Sequence, residues 1–270
     1  MSPTRSLAIA LGAASLLLGA TFAQAAPPSD DDNHAMGSQI AIHEGGGTGD
    51  PGQPDIRAAA SVPGMDVSSY QGNVNWQKAW NDGARFAYVK ATESTTYTNP
   101  DFAQQYNGSY GVGMIRGAYH FARPDKSGGA AQANYFLAHG GGWSADGKTL
   151  PGALDMEYAP SGDKCYGLSK TAMANWIRDF SDTYHARTKK YPAIYTSTSW
   201  WGLCVGQHDF SSTNPLWVAR YASTVGALPY NWKVHTFWQH ASSGKFPGDQ
   251  DLFNGSYDRL QALAKNHDLR

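Results

Sequence analysis

Two carboxylates two residues apart, Asp155 and Glu157, interrupt the otherwise apolar or small-residue stretch Pro151–Tyr158. A short apolar run closed off by Gly and Pro reads as a buried strand. In a strand, residues i and i+2 face the same way, with Cα atoms about 6.6–6.8 Å apart. Two like charges at that spacing, shielded from water, drive their proton affinities apart: one stays ionised and the other keeps its proton. A protonated carboxyl beside an ionised one is what acid-assisted cleavage of a glycosidic bond requires. The same pair also suits a strand end where each carboxylate is tied up by an Arg or by backbone N–H groups.

The elements that must position this pair alternate. Strands are predicted at Val62–Ser68, Phe86–Ala91, Met114–Phe121 and Pro151–Tyr158. Between them lie helices over Asn75–Asn81, from the Asn99-Pro100 start to Tyr110, and over Ser127–His139. Ser169 is placed to cap the longest helix, which runs to Arg187 with Met173, Trp176, Ile177, Phe180 and Tyr184 on one face. Ala193–Thr196, Leu216–Tyr221, Val234–His240 and Asp249–Phe253 then follow as strands with little helix between them, before a final helix from Ser256. The fold class is α/β, with a parallel sheet and helices outside. In a parallel barrel the site lies at the C-terminal strand ends. Asp66, Glu93, His120, Asp155 and Glu157 all fall at or just after such ends.

Residues 1–25 carry one basic residue, Arg5, an apolar run from Leu7 to Phe22 and the small-x-small close Ala23-Gln24-Ala25. This is the pattern of a signal peptide cut after Ala25, so a secreted, extracellular and soluble protein is expected, with no membrane partner. Residues 26–62 hold Pro27-Pro28, the run Asp30–Asp32, Gly45–Gly47 and Ala58–Ala60, with apolar residues together only at Ile40–Ile42. They read as a disordered linker or propeptide, and a flexible spacer is favoured over a functional pro-segment. Residues 63–270 suffice for one sizeable domain.

Composition narrows the function classes. The chain is 13% aromatic and 16% charged, with 9 Trp and 15 Tyr, which suits a groove where sugar faces lie on rings. A net charge of −1 argues against nucleic acid. The two cysteines, Cys165 and Cys204, read in an exported protein as one disulfide, worth about 3–4 kcal/mol in the chain-entropy model. No metal is expected: the cysteines lack ligand spacing, and His235 and His240 would face opposite sides of a strand. No cofactor is expected either. No phosphate loop or dinucleotide fingerprint opens a βα unit, and no Gly-x-Ser-x-Gly elbow occurs.

Several blocks, in order, resemble the glycoside hydrolase family 25 lysozymes of the Chalaropsis type. They are Gly64–Ser68 with Tyr70-Gln71-Gly72 and Trp76, Phe86–Glu93, Gly117–Phe121, Asp155-Met156-Glu157, Phe237-Trp238-Gln239 and Asp249-Gln250-Asp251. The two cysteines resemble those of the secreted actinobacterial branch. The resemblance implies a modified (β/α) barrel of the β5α5β3 type with irregular C-terminal strands. The implied activity is hydrolysis of the β-1,4 bond between N-acetylmuramic acid and N-acetylglucosamine in peptidoglycan glycan strands, by a monomer.

By that resemblance Glu157 is the general acid of a retaining mechanism. Asp155 either attacks carbon 1 or orients the substrate's own acetamide to attack it. Assistance is favoured, because neighbours on one strand approach the sugar from one side. Asp66 and Asp249 match further acidic positions and are expected to raise the acid's proton affinity and hold Asp155 by hydrogen bonds. Glu93 would serve likewise or pair with Lys90, although those two lie on opposite faces of an extended strand. Tyr119 and Tyr195 are candidates to bond the acetamide, and Trp238 to floor the groove. Two other classes of function stay open: a hydrolase of another amino sugar polymer such as chitin, and a non-catalytic cell-wall-binding module.

Overall fold

The computed structural model describes residues 1, 33–46 and 61–265. The expected signal peptide, Met1 aside, lies outside the described residues, as does most of the stretch 26–62. In chain order the elements are α1 (Ser38–Glu44), β1 (Ser61–Val67), a 3₁₀ turn (Ser69–Gln71), α2 (Trp76–Asn81), β2 (Phe86–Glu93), β3 (Tyr97–Thr98), α3 (Phe102–Gly111), β4 (Ile115–Phe121) and α4 (Gly129–Ala138). They continue with β5 (Ala153–Asp155), α5 (Lys170–Thr188), β6 (Ala193–Thr196), α6 (Thr198–Cys204), β7 (Leu216–Ala219), β8 (Phe237–Ala241), β9 (Asp249–Asn254) and α7 (Tyr257–Lys265).

Eight strands close on themselves in the order β1-β9-β8-β7-β6-β5-β4-β2, because β1 also pairs with β2; β3 is a two-residue addition beside β2. All neighbours in the barrel are parallel except β9, which runs antiparallel to both β1 and β8. Five strand–helix units followed by three strands with no helix between them give the β5α5β3 arrangement, and α7 follows the last strand. The expected α/β class and modified barrel hold.

Strand alternation decides what fills the lumen. Along β1, Met65 and Val67 face outward and pack with Trp76 and Ala79 of α2, while Gly64 and Asp66 face inward. Phe86, Tyr88, Trp217, Phe237 and Phe253 pack inside in tilted and edge-on pairs with ring centroids 4.7–5.5 Å apart. Their neighbours must be small: a Cβ on Gly117 would sit 2.4 Å from the Tyr88 ring, and one on Gly64 2.4 Å from Phe86.

Helix α5 presents the expected face, Met173, Trp176, Ile177, Phe180 and Tyr184, to the core, and Ser169 accepts from the Ala172 N–H as its cap. Cys165 and Cys204 form the expected disulfide, with Cα atoms 5.3 Å apart. Two local readings shift. Strand β5 is shorter than predicted, and α6 stands in a part where little helix was foreseen.

Residues 33–46 depart from the flexible-spacer reading: they contain α1 and bury Met36, Gln39 and Ile40. No strong apolar period in the segment itself accounts for this order. The partners that hold it lie on the barrel.

Candidate active site

Asp155 ends β5, and Glu157 follows two residues later, with Met156 still donating its N–H to the Tyr195 carbonyl of β6. Both carboxyls are fully buried. Glu157 accepts three backbone N–H bonds from the N-terminal segment: Gly37 to Oε1 at 2.9 Å, and Gln39 and Ile40 to Oε2 at 2.8 Å each. Burial nevertheless pushes its proton affinity up to about 8, against the pull of those donors. Both oxygens of Asp155 are buried without a hydrogen-bond partner among the described residues. Burial, then the charges of Glu157 and Asp66, drive Asp155 well above the usual carboxylate range.

Across the barrel mouth Asp66 and Asp249 are register partners of β1 and β9, and Asp251 is one alternation further along β9. Burial raises Asp66 to about 7, against the pull of the hydrogen bond from Gln239. Asp249 and Asp251 also rise well above the carboxylate range, through burial first and Asp66 next. The expectation that Asp66 and Asp249 hold Asp155 by hydrogen bonds is corrected: Asp66 Oδ2 instead accepts from Gln239 Nε2 at 2.7 Å. The Gln239 amide has turned to bridge two sides of the mouth. Its Oε1 accepts from the Tyr195 hydroxyl at 2.6 Å and the Tyr221 hydroxyl at 2.9 Å.

Gln239, Asp251 and Tyr221 are members of this network that sequence reasoning did not single out. Strand alternation was the available signal, since Gln239 shares a strand face with the lumen ring of Phe237. The same alternation removes Trp238 from its expected place on the groove floor. Its side chain lies on the other face of β8, buried, with its indole N–H donating to the Arg220 carbonyl at 2.9 Å.

Glu93 and Lys90 do pair, at 2.7 Å, despite being three apart in a strand. The register of β2 against β4 slips between Lys90 and Thr92, and this bulge turns the two side chains to one side. Burial would raise Glu93, but Lys90 and His34 bring it down to about 2. His34 Nδ1 lies 2.8 Å from Glu93 Oε1, and Arg123 lies 3.4 Å from the same oxygen. Tyr119 accepts the Met36 N–H at 3.1 Å. His120 is a packed ring between Thr92 and Gln132, lowered to about 4 by burial. Among the described residues no three His, Cys, Asp or Glu side chains are grouped to hold a metal ion.

The site therefore gathers Asp66, Asp155, Glu157, Asp249 and Asp251 at one barrel mouth, flanked by Glu93, Tyr119 and Tyr195. Such a set can hold and release a proton beside unpaired acceptors. The sequence profile of the glycosyl hydrolases family 25 matches residues 65–249. The chain is 52% identical over 209 residues to the N,O-diacetylmuramidase of Chalaropsis sp, a match covering 76% of this chain and 99% of that one. It is 45% identical over 259 residues to Lysozyme M1 of Streptomyces globisporus, covering 92% of this chain and 88% of that one. This second match is too long for the barrel alone and extends into the N-terminal part. A bacterial lysozyme structure from Streptomyces coelicolor aligns with a TM-score of 0.75 at 46% identity, covering 78% of this chain and 100% of that one.

Proposed function

The chain belongs to glycosyl hydrolase family 25 and is a muramidase, and from that premise we propose that Glu157 is the general acid and Asp155 its partner in cleaving the β-1,4 bond that follows N-acetylmuramic acid in peptidoglycan. The observation that carries this assignment is the pair itself. Two buried carboxyls sit side by side at the C-terminal end of β5, both with raised proton affinity, so that the pair holds a proton near neutrality, and Asp155 has two unpartnered oxygens.

A carboxyl that keeps its proton near neutrality can give it to the leaving glycosidic oxygen. An unpartnered acceptor beside it suits the N–H of the substrate's acetamide. Asp155 would take that hydrogen bond and turn the acetamide oxygen onto carbon 1 while the glycosidic C–O bond breaks. Water then adds to carbon 1 of the cyclic intermediate, giving its proton to the Glu157 carboxylate, and configuration is retained. In this reading Asp66, Asp249, Glu93, Tyr119 and Tyr195 shape the polar wall around the sugar. The signal-like residues 1–25 support export, with extracellular peptidoglycan as the substrate.

The test is digestion of purified peptidoglycan by the protein freed of residues 1–60, with identification of the new reducing end and with Glu157→Gln alongside. Reducing muramic acid is expected, and the variant should lose about a thousandfold or more of the rate. Reducing glucosamine would keep a glycosidase and overturn the bond specificity. A covalent glycosyl-enzyme trapped on Asp155 would replace assistance by direct attack.

A further inference from the structure

Residues 33–46 add no strand to the barrel, yet they occupy its mouth. Asn33 donates from Nδ2 to Ser69 Oγ at 2.9 Å, and its carbonyl accepts from the Tyr70 hydroxyl. His34 engages Glu93 through both its backbone N–H and its ring, while its carbonyl takes the Lys90 ammonium. Met36 donates to Tyr119, and the Gly37 carbonyl accepts from Tyr221 at 3.2 Å. At the far end Glu44 accepts from the hydroxyls of Tyr158 and Ser197.

Between these anchors the start of α1 is seated directly on Glu157. The helix has no side-chain cap of its own, and its first free N–H groups are satisfied by a carboxylate 117–120 residues away. Glu157 is left with no exposure. A glycosidase acid in this state can reach neither a glycosidic oxygen nor water.

We propose that residues 33–46 are an autoinhibitory pro-segment that keeps the chain latent by laying its own backbone amides on the acid in the sugar-binding mouth, until the segment is displaced. The proposal rests on the assignment of Glu157 as the acid. The segment meets Glu93, Tyr119 and Glu157 by hydrogen bonds, and Gly37 packs against Tyr195, so it covers the polar wall expected to hold the substrate. A relative is matched over 99% of its own length by 76% of this chain, about the share that the barrel makes up. Because the segment is tethered to β1, its effective concentration at the mouth stays high until the connection is cut.

Gly37 supplies the test. Its φ is +79°, and a Cβ there would lie 2.4–2.6 Å from the hydroxyls of Tyr221 and Tyr195 and from Gln239 Oε1. Gly37→Val in the full chain should expel the segment without altering any barrel residue. Peptidoglycan hydrolysis by the folded variant is expected to exceed that of the wild-type full chain by about tenfold or more. A synthetic peptide of residues 33–46, added to the variant, should restore inhibition by raising KM with kcat unchanged. Glu44→Ala, which loosens only the outer anchor, should give a smaller rise.

Equal rates for wild type and both folded variants would overturn the proposal. If no chain hydrolyses peptidoglycan, the assignment of Glu157 fails, and hydrogen exchange still decides occupancy. Slow exchange at Gln39 and Ile40 in wild type, lost in Gly37→Val, keeps the segment in the mouth, whereas fast exchange in wild type removes it.

Discussion

At the scale of single residues, the barrel mouth holds more carboxyls than cations. Asp66, Asp155, Glu157, Asp249 and Asp251 are all raised by burial, and the nearby buried Lys90 is already engaged by Glu93. A carboxyl with a raised folded-state pKa holds its proton more tightly in the native than in the unfolded chain. Its contribution is therefore complete below the unfolded value, near 4, and is lost as pH climbs through about 7 for Asp66 and about 8 for Glu157. Glu93 has the opposite sign: lowered to about 2, it stabilises above its unfolded value of 4.5 and loses this as pH falls toward 2. The thermal midpoint is expected to be highest near pH 4–5 and to fall by several degrees by pH 8, since ~1 kcal/mol moves it by ~2–4 °C in a chain of this size. Asp66→Asn should flatten that decline, and unfolding scans of both proteins from pH 4 to 8 would check it. A midpoint that is level or rising over this range would contradict the buried, protonated cluster.

At the scale of elements, the lumen is set by aromatic rings lying over glycines. Gly117→Val would drive two methyls toward the Tyr88 ring, already 2.4 Å from a Cβ at that position. Overpacking of this kind costs about 1–3 kcal/mol or more, so a lower denaturation midpoint is expected. An unchanged midpoint would mean that β2 and β4 can part without loss. Elements of this type were legible in the sequence because their causes are local. The apolar stripe and Ser169 cap pointed to α5, and the spacing of Asp155 and Glu157 pointed to two carboxyls side by side at the end of β5, the centre of the proposed site. What was not legible depends on partners distant in sequence or on departures from ideal geometry. The Lys90–Glu93 pair needs a bulge that an alternation argument cannot foresee. The role of Gln239 needs Asp66, 173 residues away, and Tyr195, 44 away. Helix α1 was invisible for the same reason, since its cap is Glu157 and not any neighbour in the chain.

At the scale of the whole molecule, closure couples these parts. Strand β9 lies between β1 and β8, so the beginning and the end of the catalytic part hold each other, and no barrel strand can leave without opening two seams. Stability should then be lost in one transition, and a crosslink anywhere in the barrel wall should report on the global equilibrium. The Cys165–Cys204 disulfide crosslinks two segments attached to that wall. It joins the loop following Glu157 to the end of α6 across 39 residues, which include α5 and β6. In the folded state Tyr166 already secures that loop through the carbonyls of Ala122 and Tyr158. The bond should therefore act mainly by restricting the unfolded chain, with a contribution of about 3–4 kcal/mol for a loop of this length. Cys165→Ser with Cys204→Ser is expected to lose that amount in denaturant unfolding, in a transition that stays single. Its slope should be no smaller than that of the wild type, because the uncrosslinked chain expands further. A second transition appearing in the double variant would show that the loop carrying Glu157 melts apart from the barrel. An unchanged midpoint would show that the native contacts of the loop already supply all the restraint it needs.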